Sequence, residues 1–382
     1  MAIRRRQFLQ AGLSLPLLSA CDFADLTTQR GWLVSGYRVQ PDPTVKTYQH
    51  GVLAFDQQGQ VRADFAVNDE VHLACFSPDL KHILVCSRIP GAALTLYDFN
   101  GKLLASALPP NHQHFEGHAV FSDDGQFIYA TASDYQQASG KLLQLNAQDL
   151  SLINEFNSGG IGPHELVWQT STTSNRTASN RTVLAIANTG VKTHPDSGRK
   201  PLNIDDIHSN VSLFDTQQQN ITHQWFVNQD ALTARHLDAL PDGDLMIGCQ
   251  YKKDDKYPVV IALAKPEHNQ LSFSDNQPGA FHFKMQGYSA SVTAFGDSQA
   301  LITNPRGHLI SQWNTQETIP ELQQHLSLKY AKGVVADRMG KVAYISQGQG
   351  KLWRYDQSGL TEVVLKQQKS IWWGNHMRGD IG

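Results

Sequence analysis

The feature of this sequence that most restricts its fold is an internal repeat. The segment VHLACFSPDLKHILVCSRIPGAALTLYDFNGKLL, residues 71–104, has the pattern of four short strands with turn residues between them. Residues 117–156, GHAVFSDDGQFIYATASDYQQASGKLLQLNAQDLSLINEF, have the same elements in the same order. Four later segments share the pattern, and they begin with PHELVW, RHLDALPDGD, SASVTAFGD and KGVVADRMG. Repeated units bury their apolar faces against one another, so the pattern predicts six four-stranded sheets packed side by side.

The two ends of the chain predict a seventh sheet. GWLVSGYRV and HGVLAFDQQGQV, near the N-terminus, have the pattern of second, third and fourth strands without a first, and WWGNHMRGDIG has the pattern of a first strand alone. Pairing of both ends in one sheet leaves no open edge. We therefore predict an all-β fold, a seven-bladed β-propeller closed by pairing of the N-terminal strands with the C-terminal strand, as a single domain over residues 30–382.

The first 21 residues have the pattern of an export signal. RRQFL, residues 5–9, fits a twin-arginine motif, and the apolar residues 13–18 are too few to span a bilayer. LSAC, residues 18–21, fits a lipobox, which makes Cys21 the predicted lipidation site; an ordinary cleaved signal is the alternative. By resemblance to bacterial lipoproteins, Asp22 favours retention in the inner membrane. We therefore predict a periplasmic protein held at the inner membrane by a lipid on Cys21.

Composition narrows the partners and the covalent chemistry. The net charge is −3 over 382 residues, and no basic stretch stands out, so nucleic acid is not an expected partner. Apart from Cys21 the cysteines are Cys75, Cys86 and Cys249, too few for a disulfide scaffold. Cys75 and Cys86 lie on neighbouring strands of one predicted hairpin, and both a disulfide and two free buried thiols are consistent with that placement.

Histidine recurs at one position of the repeat, the start of the first strand. The chain has 16 histidines in 382 residues, so chance does not account for five at equivalent positions. The five are His72, His118, His164, His236 and His376, while Ser289 or Ser291 and Lys332 occupy this place in the other two units. First strands converge on the axis of a propeller. Because neutral imidazole binds iron, copper and zinc, we predict a transition-metal site at the axial mouth, with iron or copper as the expected ion.

Loops between the second and third strands lie at the same end of the ring, because successive loops of a meandering sheet alternate between its ends. Their polar residues are Arg88, Asp134, Asn188, His194, Asp196, Arg199 and Arg306. We expect these residues to bind a ligand or to support the metal site. Glu165 and Asp134 are the candidates for oxygen ligands, or for partners that orient a ligating imidazole.

Two insertions interrupt the repeat. Residues 170–182 are polar and of low complexity, as in a solvated loop. Residues 189–209 are more varied, and THPDSGR within them is either a turn with solvated charges or part of a lid over the axis. As a lid, this loop is expected to present Arg199, with Arg88 and Arg306, to a carboxylate or phosphate ligand.

The histidines have a second interpretation. Side chains of a blade point mostly towards neighbouring blades, so each imidazole can instead form a hydrogen bond across the seam between two blades. Gly-His pairs also serve as turn elements in WD-type propellers, but those pairs lie well before the Phe-Ser-Pro-Asp-Gly turn. Here His118 precedes Phe121 by only three residues. This spacing places the histidines on the inner strand and leaves the metal site and the seam as the two main interpretations.

Several segments resemble, in order, the signatures of a bacterial family called domain of unknown function 1513. They are GHAVFSDDG, GGIGPHELVW, ANTGVKTHPDSGRKPLNID, RHLDALPDGD, TNPRGH and GNHMRGD. The resemblance covers nearly the whole chain after the signal. It implies an exported seven-bladed propeller encoded near imelysin-like iron-uptake proteins, and it implies no catalytic residues. The insertion at residues 170–182 and the SASV segment depart from the family pattern without affecting the histidines.

Three functions are consistent with these features. The first is a membrane-tethered periplasmic propeller that binds iron, or an iron-bearing ligand, at its axial mouth in iron acquisition. The second is a scaffold that docks a partner, such as an imelysin-like protein, in an iron-uptake assembly. The third is a metal-dependent redox or hydrolytic enzyme. No nucleophile elbow, phosphate-binding loop, dinucleotide fingerprint or His-Glu-x-x-His motif is present, so no reaction is predicted.

Overall fold

The computed structural model describes residues 31–40, 44, 47–88, 93–169, 181–274, 281–337, 339–367 and 369–381. The predicted export signal, its lipidation site Cys21 and residues 170–180 of the polar insertion lie outside this part of the chain. Among the described residues, no helix has both the length and the apolar character that are needed to cross a membrane.

The strands form seven antiparallel four-stranded sheets arranged in a ring, as predicted. The strands of each blade are given from the first strand outwards. Blade 1 is β28 (Trp372–Asp380), β1 (Trp32–Val39), β2 (Gln49–Asp56) and β3 (Val61–Val67), and blade 2 is β4 (Val71–Phe76), β5 (His82–Ser87), β6 (Leu94–Asp98) and β7 (Leu103–Ala107). Blade 3 is β8 (Gln113–Phe121), β9 (Phe127–Asp134), β10 (Ser139–Asn146) and β11 (Leu152–Asn157), and blade 4 is β12 (Pro163–Trp168), β13 (Val183–Asn188), β14 (Asn210–Asp215) and β15 (Asn220–Phe226). Blade 5 is β16 (Leu232–Ala239), β17 (Leu245–Tyr251), β18 (Ile261–Ala264) and β19 (Ser272–Phe273); blade 6 is β20 (Ser291–Ala294), β21 (Gln299–Asn304), β22 (Leu309–Asn314) and β23 (Glu321–Ser327); blade 7 is β24 (Ala331–Ala336), β25 (Ala343–Gln347), β26 (Leu352–Asp356) and β27 (Gly359–Val363). In the described part of the chain, two short helical segments accompany the blades, a 3-10 turn (Pro195–Ser197) and α1 (Phe281–Met285).

Blade 1 closes the ring. Strand β1 pairs antiparallel with β28, from Trp32 opposite Asp380 to Arg38 opposite Trp372. The C-terminal strand therefore supplies the innermost strand of a blade whose other three strands come from the N-terminal part of the chain, which confirms the predicted closure. The first strand of each blade contacts the first strands of the blades on either side.

The turn residues that make the repeat recognisable also close its hairpins. Between β4 and β5, the Ser77 hydroxyl donates to Asp79 Oδ1 at 2.6 Å and accepts the backbone N–H of His82 at 3.0 Å. Between β8 and β9, the Ser122 hydroxyl donates to Asp124 in the same way, at 2.5 Å. These local hydrogen bonds fix the turn and with it the register of the two strands.

Apolar side chains fill the seams between blades. Leu73 and Leu84 of blade 2, for example, belong to one buried cluster with Phe115 and Ile128 of blade 3. Burial of each such side chain contributes about 1.5–3 kcal/mol, so the seams hold the ring together. The three described cysteines are free thiols: Cys75 and Cys86 lie on the neighbouring strands β4 and β5 without forming a disulfide.

Candidate metal centre

The first strands change register where they carry a histidine. In β4, Val71 pairs with Ser87 and Leu73 pairs with Cys86, so His72 is an extra residue with no partner on β5. Register shifts contain His118 in β8, His164 in β12 and His376 in β28, whereas in β16 the extra residue is Arg235 and His236 pairs with Gly248 directly after the shift. A bulge re-aims the side chain of the bulged residue away from regular alternation. The bulges therefore allow these histidines to point towards the axis while their apolar neighbours still fill the seams.

The five imidazole rings form one cluster. His118 Nε2 lies 3.0 Å from His72 Nε2, which lies 3.3 Å from His164 Nε2. The ring centroid of His376 is 4.8 Å from that of His72, 4.7 Å from that of His118 and 4.9 Å from that of His236. Blade 1 thus contacts blades 2, 3 and 5 through these rings. A bond across a seam joins only adjacent blades, so contacts between blades 1 and 3, and between blades 1 and 5, do not fit separate seam histidines.

Two overlapping sets of ligand atoms result. One nitrogen each from His72, His118, His164 and His376 lie within 4.8 Å of one another. Atoms of Glu165, His236 and His376 form a second set within the same distance. The members come from five consecutive blades, 1 to 5, and His376 of blade 1 contacts both His118 of blade 3 and His236 of blade 5.

One glycine is needed for the closest of these contacts. Gly117 has a φ of +95°, in the region that favours glycine, and it precedes His118 in the irregular part of β8. A Cβ atom at this position would lie 2.6 Å from Cδ2 of His72. Any other residue would therefore strain the backbone and displace the His72 ring from His118.

Burial makes the polar atoms of the cluster costly to leave unpaired. The five histidines are 1–6% exposed. Among the described residues, no hydrogen-bond partner is found for Nδ1 of His72, Nδ1 of His118 or either nitrogen of His376. Each unpaired buried nitrogen costs about 1–3 kcal/mol. Since a neutral imidazole has one donor and one acceptor nitrogen, Nε2 atoms this close together need a proton or a cation between their lone pairs. A transition-metal ion meets this need, so the residues fit a metal.

Glu165 connects the cluster to a buried ion pair. Its Oε2 lies 3.0 Å from Nδ1 of His236 and accepts the backbone N–H of Leu237 at 3.3 Å. Its Oε1 accepts a hydrogen bond from Arg378, which reaches Glu165 from blade 1. Burial by itself raises the pKa of Glu165, but the charge of Arg378 and the hydrogen bond with His236 outweigh burial and hold this pKa below its usual range. The carboxylate therefore stays ionised and fixes the orientation of the His236 ring.

The histidines are held in the neutral form that binds metals. Burial is the main cause that lowers the pKa of His72, His118, His164 and His376 well below the ordinary value of 6.5, and neighbouring cationic groups lower it further. Burial also lowers the pKa of His236, although Glu165 opposes the change. Neutral imidazoles have the lone pair that a metal ion requires.

We expect the metal-free protein to lose stability as the pH falls below about 6.5. Above that pH these histidines are neutral in both the folded and the unfolded chain; below it the unfolded chain takes up protons that the folded cluster excludes. Each histidine then lowers the free energy of unfolding by up to about 1.4 kcal/mol for each unit by which the pH falls. Urea unfolding between about pH 7.5 and about pH 5.5 measures this slope. His208→Gln, at an exposed imidazole, should leave the slope unchanged, and a midpoint independent of pH would contradict the prediction.

The structure brings only some of the other predicted site residues to the axis. Arg88 and Arg199 line a cavity of about 230 Å³ that adjoins the cluster and is also lined by His72, His164 and His236. Arg306 packs over the ring of Tyr288, a further lining residue, at 4.5 Å from its centroid. The loop of residues 189–209 thus forms part of the wall above the histidines.

Four predicted residues have local structural contacts instead. The Asp134 carboxylate accepts the backbone N–H groups of Gln136 and Gln137, which places it in its own turn and outside the histidine cluster. Asn188 is bonded to Ser158, Asn210 and Ser212 between strands. His194 accepts the backbone N–H of Asp196 at 3.2 Å, and it starts the 3-10 turn with its ring 4.6 Å from that of Tyr135. Asp196 is exposed.

Three charged residues near the cluster were not predicted from the sequence. Arg378 lies two residues after His376, and Arg235 directly precedes His236. Lys252 follows β17 and lines the same cavity as Arg235. Arg378 and Arg235 could have been identified because each lies within two residues of a histidine at the shared repeat position. The position of Lys252 depends on where the loop after β17 turns, which the sequence does not indicate.

Fold and site together define a seven-bladed β-propeller with a buried cluster of five histidines on its axis. The chain belongs to the family described as Protein of unknown function (DUF1513), whose profile matches residues 65–379. Curated proteins include no significant match to the sequence.

Solved structures share the fold. A chain of the Kuenenia stuttgartiensis hydrazine synthase is 11% identical and has a TM-score of 0.57, over 79% of this chain and 89% of that one. A functionally unknown protein from Desulfotomaculum acetoxidans is 9% identical and has a TM-score of 0.55, over 91% of this chain and 99% of that one. A chain of the mitotic checkpoint complex is 13% identical and has a TM-score of 0.54, over 80% of both chains. At such identities the likeness concerns the fold alone.

Proposed function

We propose that this protein binds a transition-metal ion, iron above all, at the axial histidine cluster. The observation that carries the proposal is the convergence of four buried imidazoles, those of His72, His118, His164 and His376, with one nitrogen of each within 4.8 Å of the others. Each Nε2 has a single lone pair or a single N–H to share with its neighbours, whereas one cation would accept the lone pairs of all four rings. When bound, the ion would supply Lewis-acid or redox chemistry.

The residues of the chain have separate roles in this proposal. The four imidazoles hold the ion, and His236, tied to Glu165, is the fifth candidate ligand. Glu165 and Arg378 orient the cluster, because Glu165 holds His236 and is itself held by Arg378. The cavity lined by His72, His164 and His236 is a route by which a metal ion would reach the cluster.

The wider role is also a proposal. The twin-arginine pattern and the lipobox at Cys21 support a periplasmic protein tethered to the inner membrane. Membership of the family supports a role in iron acquisition beside an imelysin-like partner, because that role is what the family resemblance implies. On this view the propeller holds iron, or an iron-bearing ligand, on the periplasmic side of the membrane.

Titration of the tag-free, metal-free protein with Fe²⁺ under anaerobic conditions, and with Co²⁺ and Zn²⁺, tests the metal site. We expect saturable binding with release of heat and, for Co²⁺, a visible absorption band produced by nitrogen ligands. Glu362→Gln, which breaks an exposed ion pair on β27, the outermost strand of blade 7, is a matched control that should bind the ions in the same way. Absence of saturable binding for all three ions would refute the proposal.

A further inference from the structure

The cavity above the histidine cluster has a strong excess of positive charge. Its lining includes the cations Arg88, Arg199, Arg235 and Lys252 and a single carboxylate, that of Glu116. A second cavity of about 270 Å³ shares Arg88 and Arg199 with the first and adds Arg38, Lys332 and Glu70. In a protein of net charge −3 this concentration of cations is not a property of the surface as a whole.

The carboxylates nearby neutralise these cations only in part. Glu116 accepts hydrogen bonds from the Ser133 hydroxyl at 2.6 Å and lies 3.1 Å from Nε2 of His114, so it is already engaged. Glu70 is shared, with Oε1 at 3.4 Å from Arg88 Nη1 and Oε2 at 3.8 Å from Arg199 Nη2. In the described part of the chain Nε of Arg88 is buried without a hydrogen-bond partner.

Arg235 and Lys252 are the least compensated members of the group. No ion pair to either of them occurs among the described residues, and Lys252 Nζ donates only to Gln250 Oε1, at 3.3 Å. Burial, followed by the charges of Arg235 and Arg306, lowers the pKa of Lys252 well below its ordinary range. An anion in the cavity would remove that repulsion and supply acceptors for both side chains.

The wall of the cavity is built in advance of any ligand. Lys192 donates its backbone N–H to Asn203 Oδ1 at 2.8 Å, and Asn203 Nδ2 donates to the Gly190 carbonyl at 2.9 Å, which closes the loop of residues 189–209 on itself. Thr193 Oγ1 lies 3.0 Å from Nε2 of His114 and joins the loop to blade 3. A preformed wall lowers the entropic cost of binding, as expected for a ligand site.

The size and the lining of the cavity restrict the ligand. About 230 Å³ is below the range of drug-sized pockets, which begins at about 300 Å³. Phe115, Val191 and Pro201 add apolar surface between the cations. Inorganic phosphate has no group that would contact this surface, whereas an organic acid has a carbon skeleton between its charges.

We infer that the cavity binds a small organic anion with two or more carboxylates, held by Arg235, Lys252, Arg88 and Arg199 directly above the histidine cluster. This inference rests on the proposed function, because the anion is placed where its carboxylate reaches the metal bound by the histidines. It assigns a substrate class to the axial mouth: an organic acid, free or in complex with the metal. The anion site expected from the sequence consisted of Arg199, Arg88 and Arg306, whereas the site inferred here also includes Arg235 and Lys252.

Calorimetric titration of the metal-free protein with tricarballylate, succinate and inorganic phosphate tests the anion site without the metal. We expect tricarballylate to bind more tightly than phosphate, and Arg235→Gln or Lys252→Gln to weaken it at least about tenfold, the loss expected for one charge-assisted hydrogen bond. Lys102→Gln, at an exposed lysine on the turn before β7, is the matched control and should bind as the unchanged protein does. Equal affinity in all variants, or tighter binding of phosphate, would overturn the inference.

A second measurement separates this inference from the proposed function. If the anion lies beside the metal, tricarballylate should change the visible spectrum of the Co²⁺-loaded protein, and it should do so less in Arg235→Gln at the same concentration. Calorimetric binding with an unchanged Co²⁺ spectrum would overturn the placement beside the metal. Failure of the protein to bind Co²⁺ would refute the proposed function, while the metal-free titration would still decide whether the anion site exists.

Discussion

The His118→Ala/His164→Ala variant is expected to lose metal binding, with the affinity for Co²⁺ lower by more than about 100-fold. Loss of a residue that only orients a ligand already costs about 10–100-fold, and this change removes two of the four imidazoles whose nitrogens converge. Both rings are buried and contact His72, so the change removes ligands from the centre of the cluster. Competition with a chromophoric chelator measures the affinity.

Controls separate loss of ligands from loss of fold. His208→Ala/His282→Ala removes two histidines outside the cluster and should keep full affinity. Because alanine leaves space at a buried site, His118→Gln/His164→Gln is a second variant that keeps most of the volume and should lose affinity as well. Wild-type affinity in a folded His118→Gln/His164→Gln variant would show that the cluster does not hold the metal.

The Glu165→Gln variant is expected to lose about 3 kcal/mol in the free energy of unfolding, even without metal. The change removes the charge that compensates Arg378 while keeping the size of the side chain. The side chain of Glu165 is 2% exposed and that of Arg378 is 25% exposed. The expected loss of stability therefore lies at the lower end of the range for breaking a buried ion pair. The midpoint of urea unfolding measures the effect.

A surface pair provides the comparison. Glu362→Gln breaks the ion pair of Glu362, whose side chain is 41% exposed, with Lys351, whose side chain is 50% exposed. This change should alter the free energy of unfolding by at most about 1 kcal/mol. The double variant Glu165→Gln/Arg378→Met should recover part of the loss, because it leaves no unpaired buried charge. A Glu165→Gln protein as stable as Glu362→Gln would mean that the Arg378 charge is solvated and that Glu165 is not its required partner.

The fold was predictable from the sequence because its units repeat. Turn residues such as Ser77 and Ser122 recur in register and reveal the hairpins, and a first strand found only at the C-terminal end requires closure with the N-terminal strands. Helix α1, with only five residues, carries no repeat signal and was not predicted.

The site was predictable in part. A shared repeat position identifies five histidines as equivalent, and equivalence on inner strands is enough to predict that they converge. The position of a residue in the repeat does not specify the direction in which its side chain points, however. Asp134 lies at the predicted end of a blade, yet its carboxylate turns back and accepts two backbone N–H groups of its own loop.

Contacts across the axis were beyond prediction from the sequence. The Glu165–Arg378 pair joins blades 4 and 1, and the distance between these two side chains depends on the diameter of the ring. This distance follows from the packing of all seven blades, which a local sequence pattern does not encode.

The metal content of the protein itself tests the central claim most directly. The tag-free, full-length protein, produced with its own N-terminal segment, is analysed for metals beside the His118→Gln/His164→Gln variant. We expect close to one equivalent of iron, or of another transition metal, in the unchanged protein and little in the variant. Equal metal content in both proteins, or none in either, would contradict it.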